Sequence, residues 1–345
     1  MWKPNIVVSS IIILFSLSFI CISNGETTPS CPPLEDLNNN SVIGILSHPR
    51  KYNGSYIPAS YVKFAEAGGA RVIPLIYAEP WSVLSSKLEL VNGVILTGGV
   101  RKYSSYLSVI TKILQVHILH AYIFTCQSKV KEKNDGGEHF PLYAINLGFE
   151  LLIELVSKNN DVLESVDAQK LTTKLQFEDV PVRGIVLGSF PLYLRNKLKS
   201  DCLVSLNNKY GITRERFLSD KELSGFFKAI TTSKDKNNKD FVTTIQAYDY
   251  PIVGFQWNPQ KNAFEWGSPE IPHSLYAIQV TQYAANYLVS EARKSRNEPP
   301  TEQILDNLIY KYNTYYSGAN GKGFDETYYF DAYESTTSIK ALAEE

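Results

Sequence analysis

Leu142-Tyr143-Ala144-Ile145-Asn146-Leu147-Gly148-Phe149-Glu150 is the stretch whose reading decides the fold. A short apolar run reads as a buried strand, and helix-forming residues from Leu147 to Val156 follow it without a loop. One residue, Asn146, makes the turn, with small Ala144 and Gly148 two positions away on either side. That is the form of a nucleophile elbow. Its central residue sits in a strained backbone conformation, so its neighbours must be small enough for close packing. The helix that starts there aims backbone N–H groups at whatever the central position presents.

Working outward, Ser41-Val42-Ile43-Gly44-Ile45-Leu46 reads as another buried strand. Ala59 to Ala67 has helical spacing and stops at Gly68-Gly69. Arg71 to Leu75 is a strand, Trp81 to Leu90 a helix, and Gly93 to Leu96 a strand whose end carries Thr97-Gly98-Gly99. This alternation predicts an α/β fold of three layers, with a mostly parallel central sheet flanked by helices. Such sheets bind ligands beyond the C-terminal ends of their strands. Phe241 to Ala247 and Pro251 to Phe255 read as a strand pair turning at Asp249-Tyr250. A long helix is expected from Pro272 to Lys294, with Pro272 in its first turn. The predicted domain runs over residues 41–331, between a polar leader at 26–40 and a polar, disordered tail at 332–345.

Residues 1–25 read as a signal peptide: Lys3 is the positive end, Ile6 to Ile22 the apolar run, and Ser23 and Gly25 the small residues before cleavage. The alternative is an uncleaved anchor, for which the run is short. Asn39-Asn40-Ser41 and Asn53-Gly54-Ser55 are glycosylation sequons, with Asn39 and Asn53 as acceptors. The expected destination is therefore extracellular or lysosomal, with no membrane contact after cleavage. The chain of 345 residues is 44% hydrophobic and 20% charged with a formal net charge of -1, which gives no electrostatic reason for a nucleic-acid partner. Once Cys21 is removed, Cys31, Cys126 and Cys202 remain, an odd number without metal-like spacing, so no metal or cofactor is expected.

A second segment, Pro251-Ile252-Val253-Gly254-Phe255-Gln256-Trp257-Asn258-Pro259-Gln260, runs a strand into three residues that project at its end. With the elbow it resembles the gamma-glutamyl hydrolases, of the class I glutamine-amidotransferase-like families. The similarity extends in order from about Val42 to about Asp331, through Tyr56-Ile57-Pro58-Ala59-Ser60-Tyr61-Val62-Lys63, Gly98-Gly99, Ser290-Glu291-Ala292-Arg293-Lys294 and Tyr329-Phe330-Asp331. The resemblance implies the class I amidotransferase-like fold and cleavage of gamma-linked glutamates from folylpolyglutamates. It implies a cysteine nucleophile in the elbow and a histidine base oriented by the glutamate of a His-Pro-Glu run. This chain carries Asn146, Asn258 and Gln260 at those three positions, and a further family histidine falls at Arg183.

Each substitution removes a chemical capacity. Thiol attack needs a thiolate or a thiol beside a base, and a conjugated amide nitrogen is neither. Asn258 cannot accept and return a proton near neutral pH, and Gln260 carries no charge to stabilise an imidazolium. Gly98, Gly99 and the backbone N–H of Leu147 stand where the family polarises the scissile carbonyl. The expected protein is thus a secreted homologue without the triad's chemistry, keeping a pocket for a glutamyl or folylpolyglutamate-like ligand or serving as an interaction scaffold. Two alternatives stand beside it: an active hydrolase using displaced residues, and a regulatory partner of an active paralogue. The resemblance also implies a dimer, with itself or with a paralogue.

Other residues read more plainly. Of the histidines, His48, His117, His120, His139 and His273, His139 lies just before the elbow strand and is the candidate to approach the site, His117 and His120 fall in a long segment ahead of that strand, and a surface or capping role is expected for His273. Residues 116–129 exceed the family pattern by about a dozen positions, either as a true insertion or as an error in the gene's reading. Arg101, Lys102 and Arg183 follow or face strand ends and are candidates to pair with an acidic glutamate chain. Cys31 and Cys202 are candidates for a disulfide.

Overall fold

The computed structural model describes residues 37–51, 54–99, 104–114, 133–134, 139–318 and 323–332. An eight-stranded sheet forms the centre, in the order Arg71–Leu75, Val42–Leu46, Gly93–Leu96, Leu142–Ile145, Ile252–Phe255, Asp240–Ala247, Phe227–Lys234, Gln176–Phe177. The first five strands are mutually parallel and the last three run antiparallel. The expected mostly parallel sheet is therefore present, including the strand pair across Asp249-Tyr250.

Burial on both faces explains the unbroken apolar runs. Ile43, Ile45, Tyr143, Ile145, Val253 and Phe255 pack on one side with Tyr61, Phe64, Ala65, Val280 and Leu288, from the helices Ala59–Ala67 and Leu275–Ala292. Val42, Leu46, Leu142, Ala144 and Leu96 face the other side, against Leu84, Leu88, Ile110, Leu151 and Val156. Those come from helices Trp81–Leu88, Ser104–Leu114 and Leu147–Ser157. Alternate residues of each strand thus feed two separate cores, which gives the three layers. Among the described residues no helix is long and apolar enough to cross a membrane.

Three features depart from the sequence reading. The long helix starts at Leu275, not Pro272, because Ser274 caps it through an Oγ that accepts from the Ala277 N–H at 3.2 Å. His273 is held outside the helix: its Nδ1 lies 2.8 Å from Asn262 O and its ring stacks on Trp266 at 3.9 Å. After Pro300, where the sequence reading assigns no element, the chain forms a helix, Thr301–Asn307, and two strands, Thr314–Tyr316 and Glu326–Phe330. The last strand pairs with Ser55–Pro58, so the C-terminal segment closes on the chain just ahead of the first helix. The third feature is a two-stranded ribbon, Glu164–Thr173 with Val204–Gly211, which no local sequence pattern announces. The end of the leader is tied down, with the Asn38 N–H donating to Arg293 O at 2.8 Å and Asn38 Nδ2 to Asn297 O at 3.0 Å. The signal peptide, residues 116–129 and most of the tail lie outside the described residues.

Candidate functional site

Asn146 stands alone between the strand Leu142–Ile145 and the helix Leu147–Ser157, with φ 55° and ψ -110°. A side chain in that region costs on the order of 1–3 kcal/mol, so the surrounding bonds must hold it there. They do so from both sides. The Asn146 N–H donates to Phe255 O on the neighbouring strand at 2.7 Å, and Asn146 O accepts from the Glu150 N–H at 3.1 Å. Asparagine is among the best helix N-caps, yet this side chain makes no capping bond, since capping works from β-region backbone angles that Asn146 does not have. It is half-buried at the strand ends.

The small neighbours are steric necessities. A Cβ at Gly148 would lie 2.7 Å from Leu96 O, so only glycine lets the helix seat on that strand. A Cβ at Gly98 would lie 3.0 Å from Asn146 Cβ, which puts the Gly98-Gly99 loop directly against the elbow. The Gly98 N–H is already engaged, donating to Tyr61 Oη at 2.8 Å. Burial pushes the Tyr61 hydroxyl well above its ordinary range, so it stays protonated. The Leu147 N–H has no acceptor among the described residues, and Leu147 is 4% exposed. Of the three backbone donors named from sequence, Gly98 is therefore occupied and Leu147 is open.

Asn258 and Gln260 follow the next strand, whose Phe255 pairs with Ile145. Asn258 donates both its backbone N–H, at 3.1 Å, and its Nδ2, at 3.2 Å, to the single carbonyl of Ser205 on the ribbon. Gln260 is fully buried, and neither its Oε1 nor its Nε2 has a hydrogen-bond partner. Ser205 Oγ, Asn208 Nδ2 and Gln256 Oε1 are likewise buried and unpaired. Gln256 Nε2 reaches the buried Glu150 carboxylate at 3.4 Å, in the first turn of the elbow helix where negative charge is favoured. Asn146, Asn258 and Gln260 thus stand at the ends of adjacent parallel strands, as their order predicts.

Two further groups were missed from sequence. His48 is 1% exposed, with its ring 5.0 Å from that of Tyr106 and its Nδ1 2.9 Å from Pro49 O. A Cβ at Gly99 would collide with that ring at 2.0 Å, so His48 lies against the elbow's neighbouring loop. Its position just past the strand Val42–Leu46, at a C-terminal strand end, was the available signal. Lys261 and Glu265 form the second group. Burial lowers the Lys261 pKa and raises that of Glu265, each toward its neutral form.

Other expectations fall elsewhere. His139 does not approach the elbow: it precedes the strand at its opposite end, and its Nε2 lies 2.7 Å from Glu291 Oε2. Burial opposes ionisation of Glu291, but hydrogen bonds with His139 and Lys294 outweigh it and hold the carboxyl below 4.5. A depressed carboxylate pKa stabilises the fold above the unfolded value, and the contribution is lost as pH falls through the folded one. Glu291→Gln should therefore flatten the stability–pH curve on the acid side of pH 4.5, read from urea midpoints. An unchanged slope there would remove Glu291 from the acid response.

Arg183 is exposed in a turn secured by Gln246, whose Nε2 donates to Gly184 O at 2.9 Å. The Arg183 side chain makes no hydrogen bond or ion pair among the described residues. Arg101, Lys102, Asn53, Cys31, Cys126, His117 and His120 lie outside the described residues, whereas Asn39 is exposed in a turn and Cys202 is an exposed free thiol. No cluster among the described residues has the makings of a metal site. A cleft of about 380 Å³, lined by Asn40, Arg71, Asn92 and Asn297, opens at the N-terminal ends of the strands, away from the elbow.

No protein-family model matches the chain. It is similar to "Gamma-glutamyl hydrolase 1" of Arabidopsis thaliana, at 52% identity over 318 residues, 89% of this chain and 88% of that one. "Gamma-glutamyl hydrolase" of Glycine max is 43% identical over 89% of each chain. "Gamma-glutamyl hydrolase" of Homo sapiens is 30% identical over 87% of this chain and 92% of its own. The crystal structure of a GMP synthase component from Thermoplasma acidophilum covers 77% of this chain and 98% of its own at 11% identity and a TM-score of 0.41, too distant a likeness to carry residue roles.

Proposed function

The chain belongs to the gamma-glutamyl hydrolase family, and on that premise we propose that it is a non-hydrolytic member, exported and glycosylated at Asn39 and Asn53, whose strand-end pocket holds a glutamyl or folylpolyglutamate-like chain. One observation carries this reading: the elbow keeps its strained conformation while presenting the uncharged amide of Asn146. An amide nitrogen conjugated with its carbonyl has no lone pair to attack a scissile carbonyl. The base position supports the same reading, because the Asn258 Nδ2 is committed as a donor to Ser205 O. Loss of a triad nucleophile costs roughly a million-fold in turnover, leaving what binding and backbone donors supply. The open Leu147 N–H is the donor best placed to hold a ligand carbonyl.

The rival reading is gamma-glutamyl hydrolysis, the activity in the relatives' names, and the retained elbow strain and buried Glu150 speak for it. Purified protein incubated with folylpentaglutamate distinguishes the two. The proposal expects intact substrate together with a raised melting temperature that grows with ligand concentration. Steady release of glutamate overturns it in favour of the rival, and intact substrate with no thermal shift overturns the binding half.

A further inference from the structure

We propose that Asn146 modifies itself: its side chain closes onto the following backbone nitrogen to form a cyclic imide, which water opens to aspartate or isoaspartate. The geometry is set by ψ. The substituents on an L-residue's Cα are about 120° apart, so a ψ of -110° brings the Leu147 nitrogen within about 10° of eclipsing Asn146 Cβ. That near-planar arrangement is what a five-membered ring through Cγ, Cβ, Cα, C and N requires. A helical ψ near -42° or a strand ψ near +135° holds the nitrogen far from it. In the elbow, only rotation about the side chain's own bonds remains to bring Cγ to the nitrogen.

Three further observations favour closure at this position. The Asn146 side chain has no capping bond to restrain it. The Leu147 N–H has no acceptor among the described residues, so no hydrogen bond is lost when that nitrogen reacts. Asn146 is half-buried rather than sealed, which admits the water that the second step consumes. The helix N-terminus also stabilises the oxyanion that forms at Cγ.

The steps balance. The Leu147 nitrogen bonds to Asn146 Cγ, the Cγ–Nδ2 bond breaks, and ammonia leaves carrying the proton from the Leu147 N–H. Water then adds to the imide. Cleavage of the new N–Cγ bond restores the ordinary backbone with an aspartate side chain. Cleavage of the original peptide C–N bond instead routes the backbone through the side chain as isoaspartate. The net change is amide plus water to carboxylic acid plus ammonia, without an oxidant or a metal. The first product places a carboxylate in the elbow at a helix N-terminus, and the second inserts a methylene into a turn that has no slack.

The test uses the full mature chain at mildly alkaline pH in heavy-oxygen water, native and guanidinium-unfolded, with peptide mapping by mass spectrometry. Residue 146 should take up labelled oxygen about ten-fold faster in the native protein, since folding supplies the alignment. Hydroxylamine added to the native protein should cut the chain between 146 and 147. A native rate equal to or below the unfolded one, zero included, overturns the proposal.

Discussion

Asn146→Cys, Asn258→His and Gln260→Glu, introduced together, should raise gamma-glutamyl hydrolysis by on the order of 10⁴–10⁶-fold over the unsubstituted chain. The size of the gain follows from what is already in place. The elbow has its backbone conformation, held by Phe255 O and the Glu150 N–H, so an introduced thiol would project where the amide now does. The base position is buried at the end of the neighbouring strand, and the orienting position behind it is buried with no partner to displace. The three changes act as a unit, so each alone should recover far less than its share. A triple variant that melts like the parent yet cleaves nothing would mean that the two strand ends no longer align nucleophile and base.

The largest expected loss of stability comes from Trp257→Ala. This side chain is fully buried beside the site, packs edge-on against Phe255 with centroids 5.0 Å apart, and donates its Nε1–H to Thr244 Oγ1 at 3.0 Å. Removing it leaves a cavity between the last parallel strand and its antiparallel neighbour, at a cost of about 3–5 kcal/mol. Trp257→Phe keeps most of the volume and gives up the hydrogen bond, so it should cost closer to 1 kcal/mol. Urea midpoints at unchanged slope measure both. Equal losses for the two variants would show that the hydrogen bond, not the packing, holds this corner.

The legible part of the fold was the part buried on both faces. Val42–Leu46, Arg71–Leu75, Gly93–Leu96 and Leu142–Ile145 read as strands because helices cover both sides and leave no polar alternation. Glu164–Thr173 escaped notice because its exposed positions are polar and its partner, Val204–Gly211, is distant in sequence. The strand Glu326–Phe330 hid for the same reason, since it pairs with Ser55–Pro58 at the other end of the chain.

The site divides along the same line. Ala144 and Gly148 announce the elbow locally, and the steric contacts of Gly148 bear that reading out. What Asn258 touches depends on the ribbon, which no local pattern reveals. The full burial of Gln260 runs against the usual surface placement of glutamine, so residue type alone does not announce it. His139 misled by proximity in sequence, because it lies at the far end of the strand that carries the elbow.

On the proposed reading the elbow side chain is not a nucleophile, so Asn146→Ala should leave turnover as it is. Glutamate release from folylpentaglutamate should be the same low background for the parent chain and for this variant, over long incubation at high protein concentration. A parent rate above background that disappears in the Asn146→Ala protein, with melting temperature unchanged, would contradict this and return position 146 to catalysis.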